Sequence, residues 1–143
     1  MRIAMGLSYN GQAYEGWQSQ SSGKTVQDKL EKALSKFTQT PVSTLCAGRT
    51  DAGVHAFNQV VHLDSPVARD AFSWLRGTNR HLPADIALQW ARPVSDDFHA
   101  RFHARGRRYR YLLLESALRP ALEAGAVGWS FRQIGRASCR ERV

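Results

Sequence analysis

Apolar side chains recur along this chain at two alternating spacings, and their order limits the folds open to it. In residues 2–9 every second position is apolar, the period of a half-buried strand. Thr25 then precedes residues 26–37, where apolar side chains lie three and four apart on one helical face, and Asp28 is placed to complete a capping box. A strand followed by a helix is therefore predicted.

The same alternation continues after the first helix. A β-branched run at 42–44, continuing to Cys46, predicts a second strand. Residues 57–63 predict a third, with Phe57, Gln59, Val61 and Leu63 facing one way. Ser65-Pro66 has the form of a helix start, and the apolar stripe that follows it consists of Ala68, Ala71, Phe72 and Leu75, before Gly77. Ile86, Leu88 and Trp90 predict a fourth strand.

The resulting order, strand-helix-strand-strand-helix-strand, predicts an α+β fold of the ferredoxin-like (βαββαβ) class. Its sheet is expected to be mixed or antiparallel, with the helices on one face. A fifth strand is predicted at 107–114, with Tyr109, Tyr111 and Leu113 on one side. The fold class implies no function by itself.

Charge favours a polyanionic partner. The 143 residues include 20 Lys and Arg against 12 Asp and Glu, a formal charge of +8. Two cysteines are too few for a disulfide framework or a paired-cysteine zinc site, and Cys46 is expected to be a small buried residue. No apolar run approaches the roughly 20 residues that span a bilayer, so we expect no membrane association and a cytoplasmic location.

The segment most suggestive of chemistry is the loop at residues 48–55, GRTDAGVH. Its two glycines permit a sharp turn and close approach of a substrate. Arg49 can hold Asp51 ionised by pairing with it, and can also contact a phosphate. An ionised carboxylate in a rigid loop suits a nucleophile, although spacing alone favours a turn Asp that accepts backbone N–H bonds.

Other polar and aromatic residues near this loop have open interpretations. Residues 10–24 are too rich in glycine and polar residues for a regular element, and predict a long loop. Within it, Trp17 and Gln18 either line an RNA path or anchor an exposed loop. His55 and His62 are expected to make structural hydrogen bonds, and no set of histidines has metal-ligand spacing.

The 48–55 loop resembles the signature loop of the tRNA pseudouridine synthase A family. Further matching motifs occur in the family's order across most of residues 2–120. They are Tyr9 with YEGWQ at 14–18, VQ at 26–27, QVVH at 59–62, Asn79 with LP at 82–83, DFHARF at 97–102 and RYRY at 108–111.

The resemblance implies isomerisation of uridine to pseudouridine at positions 38, 39 and 40 of the tRNA anticodon stem-loop, without cofactor or metal. Asp51 corresponds to the family's nucleophile, attacking either C6 of the base or C1′ of the ribose. Tyr109 corresponds to the tyrosine that stacks on the target base. Arg49 is expected to interact with Asp51 and to help hold the flipped nucleotide.

The resemblance also implies an RNA-binding segment at Phe98, His99, Ala100, Arg101 and Phe102. Arg101 is a candidate phosphate ligand, and Phe98 and Phe102 either stack on bases or belong to the core. Arg108 and Arg110, within an arginine-rich stretch interleaved with tyrosines, are expected to follow backbone phosphates.

Family members are about twice as long and form homodimers, so residues 1–132 are expected to be the N-terminal half of the catalytic domain. Residues 133–143 resemble a translated sequencing adapter and are predicted to be a non-native tail. The alternative function is an inactive RNA-binding ferredoxin-like module. A carboxylate-dependent hydrolase is less favoured, because none of Asp64, Asp96 and Asp97 lies in a comparable loop.

Overall fold

A computed structural model describes residues 1–131 of the chain, so the predicted tail at 133–143 lies outside the described residues. The chain divides after Arg105 into two compact units. In chain order, the first unit consists of β1 (Arg2–Tyr9), a short 3-10 helix (Gly11–Ala13), α1 (Val26–Thr38), β2 (Leu45–Cys46), β3 (Ala56–Asp64), α2 (Ala71–His81) and β4 (Ile86–Val94).

The four strands of the first unit form one antiparallel sheet in the order β2-β3-β1-β4. This order, with α1 after β1 and α2 after β3, confirms the predicted ferredoxin-like α+β fold. The core contains the alternate side chains of the central strand β1, together with residues of both helices. Its largest buried members include Ile3, Met5, Leu7, Leu30, Leu34 and Trp74.

Helix α1 begins where its cap was predicted. The Asp28 backbone N–H donates to Thr25 Oγ1 over 3.2 Å, and the Thr25 hydroxyl donates to the Asp28 carboxylate over 2.6 Å. Burial alone would raise the pKa of Asp28, but hydrogen bonds from Ser19 and Thr25 outweigh it and lower the pKa. The helix ends at Gln39, whose φ of 58° is left-handed.

Strand β2 is shorter than predicted. Instead of 42–46, only Leu45–Cys46 pairs with β3. The preceding residues are hydrogen-bonded to α1: the Val42 N–H donates to Ser35 Oγ over 3.1 Å, and the Thr44 N–H donates to the Glu31 carboxylate over 2.8 Å. Because those donors are bonded to helical side chains, they are not available for a sheet ladder.

Helix α2 begins later and ends later than predicted. Ser65 takes part in a local turn in which its Oγ accepts the Val67 N–H over 3.0 Å, whereas the cap is Asp70, which accepts the Ser73 N–H over 2.8 Å. The helix continues through Gly77, where a Cβ would lie 2.2 Å from the Phe37 ring. Gly77 therefore permits the close packing of α2 on α1.

The apolar faces predicted for β3 and α2 are confirmed in part. Gln59, Val61 and Leu63 are buried on one side of β3, but Phe57 is 89% exposed because it lies at the end of the strand nearest the 48–55 loop, beyond the packed core. On α2 the buried residues are Trp74 and Thr78, whereas Phe72 is 67% exposed.

The second unit contains a small parallel pair, β5 (Leu113–Glu115) and β6 (Gly128–Ser130). The predicted strand at 107–114 is therefore largely wrong. Among the described residues the predicted strand pairs only with β6, which is three residues long. The pairing begins at the Leu112 carbonyl, which accepts the Gly128 N–H over 2.7 Å. Tyr109 and Tyr111 are exposed.

Candidate functional site

The Asp51 loop joins β2 to β3 and ends in a tight turn. The Val54 N–H donates to the Asp51 carbonyl over 3.1 Å, and Gly53 has a φ of 80°. A positive φ at the third residue of such a turn favours glycine strongly. The turn therefore fixes the backbone that carries the Asp51 side chain.

Hydrogen bonds from β1 and the first loop hold both sides of Asp51. Thr50 accepts the Trp17 N–H at its carbonyl over 2.9 Å, and its hydroxyl lies 2.7 Å from the Tyr9 hydroxyl. The Gly53 N–H donates to the Tyr14 carbonyl over 3.3 Å. Asp51 is thus flanked by two anchored residues, which restricts its movement.

Two glycines let the first loop approach the Asp51 loop closely. A Cβ built on Gly11 would lie 1.9 Å from the Val54 carbonyl oxygen. A Cβ built on Gly16 would lie 2.9 Å from the Thr50 carbonyl oxygen, and Gly16 has a φ of 90°. The long loop predicted at 10–24 therefore packs against the loop that carries Asp51.

Trp17 is a core residue, which corrects both interpretations made from the sequence. It is fully buried, and its ring centroid lies 6.0 Å from that of Tyr9. No other described residue accepts a hydrogen bond from its indole N–H. Gln18, the next residue, is exposed. Trp17 thus supports the Asp51 loop from beneath and does not line an RNA path.

The structure brings Asp51 and Arg49 to the surface without pairing them. Both side chains are exposed. Within residues 1–131 Arg2 forms an ion pair with Asp64, whereas Arg49 and Asp51 form none with each other. The pairing expected between Arg49 and Asp51 is therefore absent, and an exposed pair of this kind contributes only about 0–1 kcal/mol. The Asp51 carboxylate is open to a reactant.

The Cys46 thiol experiences the charges of both Arg49 and Arg101. Burial raises the pKa of the half-buried Cys46 thiol, and the positive charges of Arg49 and Arg101 oppose that rise. Both guanidinium groups are therefore within electrostatic range of one thiol.

The segment from Phe98 to Phe102 is tied to the sheet at its first and third residues. Arg2 Nη1 donates to the Phe98 carbonyl over 2.7 Å, while Arg2 Nε and Nη2 donate to Asp64 over 2.9 and 3.1 Å. The Ala100 N–H donates to His62 Nδ1 over 3.0 Å. Ala100 is buried, so its contribution to this segment is packing against the sheet.

The rest of the segment presents charged and aromatic groups to solvent. Arg101 is exposed, and Phe102 is 74% exposed, so Phe102 does not belong to the core. The Phe102 ring stacks on His99 with centroids 4.1 Å apart. His99 Nδ1 accepts the N–H groups of Arg101 and Phe102 over 3.2 and 3.1 Å. Phe98 is half-buried.

Both histidines predicted to be structural make structural hydrogen bonds. His55 Nδ1 accepts the Gly11 N–H over 2.9 Å, and His62 Nδ1 accepts the Ala100 N–H. Burial lowers the pKa of His62, and the charges of Arg2 and His99 lower it further. His62 is thus held neutral, with Nδ1 as an acceptor.

Arg2 is a site residue that sequence reasoning missed. The opposite charges of Arg2 and Asp64 are visible in the sequence. Their pairing follows only from the register of β1 against β3, in which the two residues lie opposite each other. The contact with the Phe98 carbonyl had no such signal, since it depends on where residues 95–103 cross the sheet.

Tyr109, Arg108 and Arg110 belong to the second unit. Tyr109 is 45% exposed, and both arginines are exposed. Their side chains are accessible as the predicted RNA contacts require.

No three His, Cys, Asp or Glu side chains among residues 1–131 cluster in a way that could hold a metal ion. In the same range, neither helix has the length and apolarity required to cross a bilayer.

Curated relatives share high identity with this chain over about half of their own length. A protein of Methylibium petroleiphilum named tRNA pseudouridine synthase A is 67% identical over 141 residues, covering 99% of this chain and 54% of the relative. Proteins of the same name from Variovorax paradoxus and Verminephrobacter eiseniae are 65% and 66% identical, covering 94% and 90% of this chain and 50% and 47% of the relatives.

A family model described as tRNA pseudouridine synthase matches residues 7–103. The matched range contains the Asp51 loop, the first loop that anchors it and the segment from Phe98 to Phe102. The chain therefore belongs to the tRNA pseudouridine synthase family.

Proposed function

We propose that this chain is the N-terminal half of an enzyme that isomerises uridine to pseudouridine in tRNA, with Asp51 as the nucleophile. The observation that carries the proposal is an accessible, unpaired carboxylate at Asp51 whose neighbour Thr50 is fixed by Tyr9 and Trp17. A positioned carboxylate can form a covalent intermediate with a reactant that is placed against it.

The reaction is an exchange of one glycosidic bond for another. Asp51 attacks C6 of the base or C1′ of the ribose, the N1–C1′ bond breaks, and the uracil rotates in the site. C5 then bonds to C1′, the proton on C5 is lost to a base, N1 gains a proton, and the Asp51 carboxylate is released. The exchange is an isomerisation with no net oxidation or reduction, so it needs no cofactor.

The surrounding residues supply binding. We assign Arg49 and Arg101 to phosphate contacts, since both side chains are exposed and positively charged. Tyr109 stacks on the target base, and Arg108 and Arg110 contact the backbone beside it. Phe98, His99 and Phe102 form an RNA-binding surface of the first unit, with Ala100 fixing their backbone to His62.

The finer parts of the proposal follow the family resemblance. The substrate positions are uridines 38, 39 and 40 of the anticodon stem-loop, the complete enzyme is a homodimer, and it acts in the cytoplasm. A second half of similar length completes the cleft, because this chain covers about half of its curated relatives.

The test uses a longer protein, in which residues 1–131 of this chain replace the matching part of the Methylibium petroleiphilum relative. We expect Asp51→Asn to reduce pseudouridine formation on an unmodified tRNA transcript at least about a thousandfold, with tRNA affinity unchanged within about twofold. Asp96→Asn, an exposed matched variant, should keep full turnover. Equal turnover by both variants would remove Asp51 from the nucleophile role.

The chain by itself is expected to act as an RNA-binding module without turnover, because half of the relatives' length is missing from it. Assaying the 143-residue chain on the same transcript measures this directly. Turnover comparable to that of the longer protein would show that the second half is not needed for chemistry.

A further inference from the structure

Helix α2 forms one wall of a basic groove on the helical side of the first unit. The groove has a volume of about 590 Å³, and its lining includes Arg69, Arg76 and Arg80 together with Phe37 and Phe72. None of these residues takes part in the Asp51 site described above. Three guanidinium groups and two aromatic rings therefore share one surface that the proposed chemistry leaves unused.

Aromatic packing fixes one side of the groove. The Arg69 guanidinium lies 4.8 Å from the centroid of the Phe37 ring, a cation-π contact. Phe37 in turn meets the buried Trp74 edge-on, with centroids 5.0 Å apart. Phe72, by contrast, is 67% exposed and presents its ring to solvent.

The three positive charges are not neutralised within the described part of the chain. No carboxylate there forms an ion pair with Arg69, Arg76 or Arg80. Asp70, which follows Arg69 directly, accepts hydrogen bonds from the N–H and hydroxyl of Ser73 over 2.8 and 3.1 Å. Arg76 and Arg80 lie one helical turn apart, where like charges reduce helix stability.

We propose that this groove binds the phosphate backbone of RNA, with Phe72 stacking on an unpaired base. The inference rests on the proposed function, which makes RNA the polyanion that this chain meets. Arginine at all three charged positions suits phosphate, because the planar guanidinium can donate two parallel hydrogen bonds. An exposed ring beside such charges suits single-stranded nucleic acid.

The groove lies on a helix whose end is close to the Asp51 end of the sheet. Asn79 of α2 bonds both backbone groups of Leu88, over 3.0 and 2.7 Å. Leu88 pairs with Leu7, two residues from Tyr9, and Tyr9 contacts Thr50 beside Asp51. Arg80, the residue after Asn79, is therefore at the end of the unit that carries the Asp51 loop.

The test measures binding of a fluorescently labelled tRNA transcript to the 143-residue chain as a function of salt. We expect R76Q/R80Q to weaken binding at least about fivefold at 0.1 M salt, and to reduce the slope of log affinity against log salt by about two. Phe72→Ala should weaken binding of a single-stranded anticodon-loop oligonucleotide at least about fivefold with the slope unchanged, because it removes no charge.

The matched control is K32Q/K36Q, which removes two exposed charges one turn apart on α1. We expect a change below about twofold. Circular dichroism checks that each variant is folded. If R76Q/R80Q does not fold, Phe72→Ala still tests the proposal.

Retained affinity and slope in R76Q/R80Q, or no tRNA binding by the unaltered chain, would overturn the groove assignment. The assignment would also be overturned if R76Q/R80Q kept RNA binding but lost binding of labelled poly-glutamate, which would indicate an acidic protein partner. None of these three results bears on Asp51, whose role is decided separately by turnover of the longer protein.

Discussion

The Tyr9 hydroxyl lies 2.7 Å from the Thr50 hydroxyl, so the last residue of β1 is hydrogen-bonded to the residue before Asp51. The central strand of the sheet thus positions the loop directly. Because β1 is paired on both sides, any displacement of Thr50 would have to disturb the most constrained strand of the unit.

Tyr9→Phe removes this hydrogen bond and keeps the ring. We expect the longer protein to lose about tenfold in turnover with tRNA affinity unchanged, since a small misplacement of a reacting group costs rate. The free energy of unfolding should fall by about 1 kcal/mol. Tyr111→Phe, at a 77% exposed ring of the second unit, is the control. Full turnover by Tyr9→Phe would show that the bond does not position Asp51.

Gly16→Ala should destabilise the chain more than Gly23→Ala. Both glycines have positive φ, 90° and 70°, so both substitutions impose a backbone strain of about 1–2 kcal/mol. Only Gly16 faces a neighbour, the Thr50 carbonyl oxygen 2.9 Å from its ideal Cβ, whereas nothing lies within 4 Å at Gly23. Urea unfolding of the two variants measures the difference, and equal losses would contradict the close approach.

His62 should make stability depend on pH below neutrality. Its pKa in the folded chain is lower than its ordinary value of 6.5, so the unfolded chain takes up the proton first as pH falls through 6.5. The free energy of unfolding therefore decreases as pH drops, levels off below the folded pKa, and is restored as pH rises above 6.5.

His62→Gln removes this titration and is the matched variant for urea unfolding at a series of pH values. We expect its stability to vary less with pH between 7.5 and about 5 than that of the unaltered chain. Identical pH profiles for the two proteins would assign the dependence to other groups.

Trp17→Phe and Trp17→Ala should differ widely in stability. The indole N–H has no hydrogen-bond acceptor among the described residues, so phenylalanine forfeits only volume, at a cost below about 1.5 kcal/mol. Alanine leaves a cavity beneath the Asp51 loop and should cost about 3–5 kcal/mol. Thermal unfolding measures both, and a small effect of alanine would mean that the ring is not part of the core.

The sequence predicted those elements whose hydrogen bonds and burial are local. β1 and α1 follow from the periods of their apolar residues, and Thr25 caps α1 as expected. The predicted start of α2 was wrong because Asp70 caps the helix, whereas Ser65 accepts the Val67 N–H in a local turn.

Features that depend on distant residues could not be predicted in this way. β2 is short because Thr44 is bonded to Glu31, a partner on a helix 13 residues earlier. Trp17 is buried because the first loop folds back on Thr50, 33 positions further along, which no local pattern in a polar, glycine-rich stretch indicates. The Asp51 loop itself was identified by family resemblance and not by spacing.

The contact between Arg2 and Phe98 sets an order of events during synthesis. The two residues are 96 positions apart, so at about 5–20 residues per second the ribosome needs roughly 5–20 s to deliver the partner of a side chain made almost first. Until then the nascent chain lacks the carbonyl that Arg2 holds. The surface proposed to receive tRNA can therefore mature only after nearly the whole first unit has been translated.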